Sequence, residues 1–318
     1  QENFKVEILN YGCTIKSIFT PDKNGKMENI VLGFDKFEDY AKNPPSYFGC
    51  VVGRIAGRTK NGILEINGDL YQLTKNNGNN NLHGGCKGLH NRVWESSYEV
   101  IDGKAVLTFK TTSPHLEEGF PGNVEFTVKY IIGKNSITLE YLGEPDRPTY
   151  MNLTNHVFFN LSGDRKRDIL EQNLNFNATG YYTVDNEIMP VKFVKEDEIF
   201  KKGQDFNLKN ALESAHEQIA IVGNGYDHPF TLSKDDEIDG YAEDTVSGRR
   251  VEFETDQPVV VLYSGNFTHT VSSYGQYAGF CLETQDYADI ANVVPEKMKI
   301  YTHTAPYTQK TTYFFKNI

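Results

Sequence analysis

An all-β fold of antiparallel strands, with helix confined to a few short pieces, is what this chain predicts, on three observations. Segments that alternate apolar and polar residues follow one another along the chain, with the period of half-buried strands. Between such segments fall Asn24-Gly25, Asn67-Gly68, Asp102-Gly103 and Asp239-Gly240, each the signal of a two-residue type I′ hairpin. Helical spacing is scarce, and strand follows strand without the intervening helices that a parallel sheet needs.

In chain order, Phe4, Val6 and Ile8 alternate, Asn10-Tyr11-Gly12 interrupts them, and Cys13, Ile15 and Phe19 resume before Pro21. The segments 105–111, 123–132 and 136–142 read as a meander, with Val124, Phe126, Val128 and Tyr130 on one face. The stretch 150–163 also alternates: Met151, Leu153, Val157, Phe159 and Leu161 point one way, and Asn152, Thr154, His156, Phe158 and Asn160 the other. That second face, polar and aromatic with an imidazole at its centre, suits a polar, ring-shaped ligand. Further strands fall at 251–254, 259–264 and 280–285. One helix is expected from Leu208, Ala211, Leu212, Ala215 and Ile219, with Asn207 as N-cap, and a shorter one over 35–42, ending before Pro44-Pro45. The loops 75–88 and 223–229 are rich in Asn, Gly and His, where polar side chains gather without forming a core.

The net charge of −11 repels a phosphate backbone or an anionic membrane surface at long range, so nucleic acid and membrane are not expected as partners. Cys13, Cys50, Cys86 and Cys281 are scattered, with no C-x-x-C pair and no His at zinc spacing. Free thiols and a cytoplasmic location are therefore expected. No apolar run approaches the roughly 18 residues of a membrane span. The chain opens with Gln1 rather than Met, which leaves room for residues upstream. Nothing in the sequence sets the oligomeric state.

There is no G-x-S-x-G elbow, Walker loop or G-x-G-x-x-G, and His216-Glu217 lacks the second His of a zincin helix. Serine hydrolysis, phosphoryl transfer and hydride transfer lose support. Polar clusters remain around Arg58, His83, His156, Asp227 and Glu283. Each alone has an ordinary structural explanation: a surface ion pair for Arg58, a turn cap for His83 or Asp227, a half-buried ring bonded to a carbonyl for His156, and an interior ion pair for Glu283.

Together they point further. Gly53-Arg54-Ile55-Ala56-Gly57-Arg58, Asn81-Leu82-His83-Gly84-Gly85, the 154–163 stretch read as T-N-H-x-x-F-N-L-x-G, Gly225-x-Asp227-His228-Pro229-Phe230, Tyr263-Ser264-Gly265-Asn266-Phe267 and Leu282-Glu283-Thr284-Gln285, in this order and spacing, resemble the aldose 1-epimerase (galactose mutarotase) family. Asn10-Tyr11-Gly12 and Val31-Leu32-Gly33-Phe34 extend the likeness over essentially the whole chain. The resemblance implies one domain over 1–318, an antiparallel β-supersandwich whose cleft binds a free hexose, with no metal or organic cofactor. By motif position Glu283 corresponds to the family's general base and His156 to its general acid, while Arg58, His83 and Asp227 correspond to substrate-binding positions. Gly57 stands where many members have Asn, and Val261 where some have Gln; both remove a polar contact near the sugar and bear on which hexose is preferred.

Interconverting anomers requires a base on the C1 hydroxyl and an acid on the ring oxygen, which a carboxylate and an imidazole supply near neutrality. Arg58 is expected to help keep Glu283 ionised. A sugar sensor or carbohydrate-binding module on the same fold would need no such pair. A glycosidase would want two carboxylates flanking a bond, and a hexose-phosphate epimerase a basic cluster that the motifs lack.

Overall fold

The structure, a computed structural model, describes residues 3–42 and 46–318. Its largest sheet has eight strands in the order Asn173–Phe176, Gly240–Asp244, Arg249–Thr255, Tyr307–Asn317, Ser136–Pro145, Val124–Gly133, Lys104–Ser113 and Glu95–Ile101. A second has six, in the order Phe158–Phe159, Phe280–Gln285, Val259–Tyr263, Asp227–Leu232, Ala178–Val184 and Pro190–Val194. Neighbouring strands in both run antiparallel, as expected. Lys5–Leu9, Thr14–Pro21 and Met27–Asn29 form a smaller sheet beside them.

The core lies between the two large sheets. Val124, Phe126, Val128, Tyr130, Leu139, Phe253 and Tyr313 from one sheet share a buried cluster with Phe159, Phe230, Val260, Leu262, Phe280 and Leu282 from the other. Because side chains alternate along a strand, the even-numbered residues of Phe280–Gln285 face this core. Tyr313 donates its hydroxyl to the Leu282 carbonyl, and Thr284 bonds Thr311. Residues 281, 283 and 285 are left for the opposite face.

Several local expectations need correction. Asn67-Gly68 and Asp102-Gly103 do close two-residue hairpins, with both residues in the left-handed region. Asn24-Gly25 sits instead in a longer turn organised by Asp22, whose carboxylate accepts from the amides of Asn24 and Lys26. Asp239-Gly240 is no turn: Gly240 begins a strand, and Asp239 is buried and paired with Lys234. The helix over 208–219 is two helices, Leu208–Glu213 and Glu217–Ile221, broken at Ala215 with φ +53°. Asn207 does cap the first, accepting from the Asn210 amide at 2.9 Å, and His216 caps the second. Phe37–Tyr40 is helical within 35–42, whereas the stop at Pro44-Pro45 lies outside the described residues.

The stretch 150–163 keeps its two faces but is not one strand. Thr154–Asn155 pairs with Val51–Val52, and Phe158–Phe159 pairs with Phe280–Cys281. Between them His156 donates its amide to Cys50 and accepts from the Gly49 amide. The amides of its polar face are structural rather than ligand-facing. Asn152 brackets Asp286 on both sides of its own amide, and Asn160 donates to the carbonyls of Arg167 and Ala278.

The end of this stretch is anchored by Arg249, which donates to the Leu161 and Ser162 carbonyls and pairs with buried Glu28 at 3.0 Å. Burial raises the Glu28 pKa, but Lys166, Lys26 and Arg249 outweigh it and bring it to about 2. The stabilisation from this carboxylate is therefore full above about pH 4.5 and lost as pH falls towards 2. Glu28→Ala strands the guanidinium in the interior, and a loss of about 3–5 kcal/mol is expected in urea unfolding at pH 7. A loss below 1 kcal/mol would show that the anchor contributes little.

Candidate active site

On the face of the six-stranded sheet turned away from the core, the register sets up two rows. Asp227, Tyr263, Cys281 and Phe158 lie side by side, as do Pro229, Val261 and Glu283. Over them opens a cavity of about 360 Å³ lined by Arg58, His83, His156, Asp227 and Glu283 together, a volume within the range of small-molecule sites. All the residues singled out from the sequence thus meet in one place, although they come from segments far apart in the chain.

Arg58 and His83 arrive as a unit. Arg58–Thr59 pairs with Asn81–Leu82, so His83 emerges directly beside Gly57. The Gly57 carbonyl accepts from the His83 amide at 3.0 Å, and its own N–H donates to His83 Nδ1 at 3.2 Å. Gly57 has φ +71°, a conformation that favours glycine. With Nδ1 accepting, a neutral His83 ring carries its proton on Nε2.

Asp227 enters at the start of Asp227–Leu232 and pairs with Arg58 at 3.7 Å. The expected help from Arg58 to Glu283 is therefore weak, and burial wins. Burial pushes Glu283 up to about 8, aided by the Asp227 charge and opposed by Arg58. Burial also raises Asp227, against the pull of Arg58. His156 is pushed down to about 4, chiefly by burial, and His83 is held well below the usual range by burial and then by His156 and Arg58. His156 Nε2 lies 3.5 Å from Glu283 Oε1. A carboxyl that resists losing its proton thus faces an imidazole that resists gaining one.

His83, His156 and Glu283 place donor atoms within 4.8 Å of one another, close enough to consider a metal. The His83 tautomer decides what the trio suits: it presents an N–H to its surroundings rather than a lone pair, which fits a hydroxyl oxygen better than a cation.

Sequence reasoning missed Tyr47, whose ring packs edge-on against His83 and His90 at 4.8 Å and tilts over His156 at 5.8 Å. It also missed Asn77, which accepts from Arg58 Nε at 3.3 Å, and the apolar wall of Val184, Ile188 and Pro190. The Asn-rich composition of 75–88 pointed to Asn77; nothing in the sequence marked Tyr47 or the wall. Cys281 lies on the same strand face as Glu283.

Two antiparallel sheets, with a cavity over the outer face of the six-stranded one, define the architecture, and known proteins make the class specific. The family pattern described as aldose 1-epimerase matches residues 1–313. A galactose mutarotase from Bos taurus is 34% identical over 299 residues, covering 92% of this chain and 85% of the relative. An aldose 1-epimerase from Haemophilus influenzae is 32% identical over 301 residues, covering 92% and 86%. Among solved structures, galactose 1-epimerase from Lactobacillus acidophilus superposes with a TM-score of 0.88 at 28% identity, covering all of this chain and 92% of the other. The chain belongs to the aldose 1-epimerase family. Among the described residues no helix is long and apolar enough to cross a membrane.

Proposed function

We propose that this chain interconverts the α and β anomers of a free hexose such as galactose or glucose, with Glu283 and His156 moving the protons and Arg58, His83 and Asp227 holding the sugar. The observation that carries the assignment is the Glu283–His156 pair, 3.5 Å apart in a cavity that suits one small sugar. Glu283 takes the proton of the C1 hydroxyl while His156 Nε2 gives one to the ring oxygen. The C1–ring-oxygen bond breaks with its electrons going to that oxygen, and C1 becomes an aldehyde. After the C1–C2 bond turns, the same two groups return the protons in reverse and close the ring on the other face. Proximity supplies much of the rate, because the groups already stand in the site.

Arg58 is the one Lys or Arg lining the cavity among the described residues, and it is already paired with Asp227. Two carboxyl groups share that cavity, which argues for a neutral sugar over a sugar phosphate. Residues 1–318 act as one domain in this reading, so a single thermal transition is expected. The described cysteines are all free, which supports the cytoplasm as the compartment. Polarimetry on freshly dissolved α-galactose and α-glucose, with protein against buffer, tests the activity: the approach to equilibrium should accelerate in proportion to protein concentration, and a rate equal to the buffer's overturns it.

The pH profile follows from the pair. One proton shared by Glu283 and His156 is retained between about 4 and about 8. The reactive arrangement, carboxylate with imidazolium, is a fixed fraction of that one-proton state. We therefore expect kcat/KM to be flat across that window, to fall below it as a second proton binds, and to fall above it as the last one leaves. A single rise centred near pH 4.5 contradicts the coupled pair. Val261 stands directly across from Glu283 and offers it no hydrogen bond. Val261→Gln puts a donor there, which favours the charged form; the alkaline limb should move down by roughly one pH unit.

A further inference from the structure

Residues i and i+2 of a strand stand on one face roughly 7 Å apart. In Phe280–Gln285 these are Cys281 and Glu283, and the His156 ring spans them. Its Nδ1 lies 3.5 Å from Cys281 Sγ and its Nε2 lies 3.5 Å from Glu283 Oε1. One strand face therefore meets both nitrogens of the same imidazole.

We propose that Cys281 is a positioning residue: its sulfur accepts the Nδ1–H of His156 and leaves Nε2 as the nitrogen that exchanges protons with the sugar's ring oxygen. This rests on the assignment of His156 as the acid. A ring that gives a proton from Nε2 and later takes it back there must keep its Nδ1 proton throughout. A buried N–H needs an acceptor, and fixing one nitrogen sets the chemistry of the other. In the transfer the Nε2–H bond breaks, its electron pair stays on Nε2 and the proton goes to the ring oxygen, while Nδ1–H is untouched.

The choice of sulfur matters. A carboxylate at Nδ1 would hold the proton strongly and raise the ring's basicity. Sulfur is a weak acceptor, so it orients the ring without making it a poorer acid, in keeping with the low pKa of His156. Burial, and then the charges of Glu283 and Asp227, hold the Cys281 thiol well above its usual range, so it stays neutral. Tyr263, opposite it on the next strand, is likewise pushed up by burial and stays neutral. No thiolate arises to pull the Nδ1 proton away.

Cys281→Ala and Cys281→Ser test this in the full chain. Cys281→Ala should lower kcat by about 10–100-fold, as loss of a ring-orienting partner does, with KM for galactose changed less than about twofold. Cys281→Ser, whose oxygen is the stronger acceptor, should keep most of kcat and move the acid limb of the pH profile upward. Nitrogen-15 NMR of the wild type should show the neutral His156 ring protonated on Nδ1, a readout independent of whether either variant folds. A neutral ring protonated on Nε2, or a Cys281→Ala protein with unchanged rate and pH profile, overturns the role. If His156→Asn collapses the rate while Cys281→Ala changes nothing, only the role of Cys281 falls; if His156→Asn also leaves the rate intact, the assignment of the acid falls with it.

Discussion

Glu283→Gln is expected to lower kcat for galactose mutarotation by roughly 10²–10⁴, the scale of a lost proton-transfer group, while sugar affinity at pH 7 changes less than about tenfold. The second half follows from burial. With its pKa pushed up to about 8, Glu283 is mostly a neutral carboxyl in the empty site at pH 7, and an amide is its near-isostere. The amide still bonds a hydroxyl but cannot take its proton. A stability signature accompanies the kinetic one. A raised carboxyl pKa means the folded state loses stability as pH rises from about 4.5 through about 8. The glutamine variant lacks that loss, so its melting temperature should gain on the wild type between pH 5 and pH 9. If kcat survives the substitution, the base lies elsewhere.

His156→Asn is the second large effect, again roughly 10²–10⁴ in kcat. Asparagine retains a hydrogen-bonding amide, and the backbone bonds of residue 156 to Cys50 and Gly49 do not depend on the side chain, so the fold should persist. The pH profile should simplify as well, since Glu283 then titrates without a coupled partner. His83→Asn makes an informative control. Its ring is fixed by Gly57 and presents a donor, so its loss should appear mainly in KM. If the rate depends on His83 rather than His156, their roles are exchanged.

What the sequence revealed and what it hid have physical reasons. Alternation along 280–285 holds in the structure and puts Glu283 and Gln285 on one face, because Val259–Tyr263 pairs with this strand from Cys281 to Gln285 without a break. Alternation in 150–163 was equally clear, yet the backbone there changes partner, from Val51–Val52 to Phe280–Cys281, on either side of His156. Side-chain period carries no record of which strand is the neighbour. The break at Ala215 was hidden because no Gly or Pro marks it, and the apolar spacing runs on through the kink. Motif order singled out five residues that line one cavity, but their charge states were not legible. The shift of Glu283 depends on burial and on Asp227 arriving from another strand, and the salt bridge that diverts Arg58 is set by the same assembly. Tyr47, packed against the histidines, becomes visible only when its segment is placed beside 83–90.

The measurement that bears most directly on the central claim is saturation transfer between the two anomeric protons of galactose at equilibrium, read by proton NMR beside calorimetric affinity on the same samples. Wild type, Glu283→Gln and His156→Asn are compared at pH 7. Anomer exchange is expected with the wild type, with exchange at or near the buffer rate for both variants and sugar binding retained in all three. Binding without exchange in the wild type would make this a sugar-binding protein rather than an epimerase, and undiminished exchange in either variant would remove that residue from the proton pair.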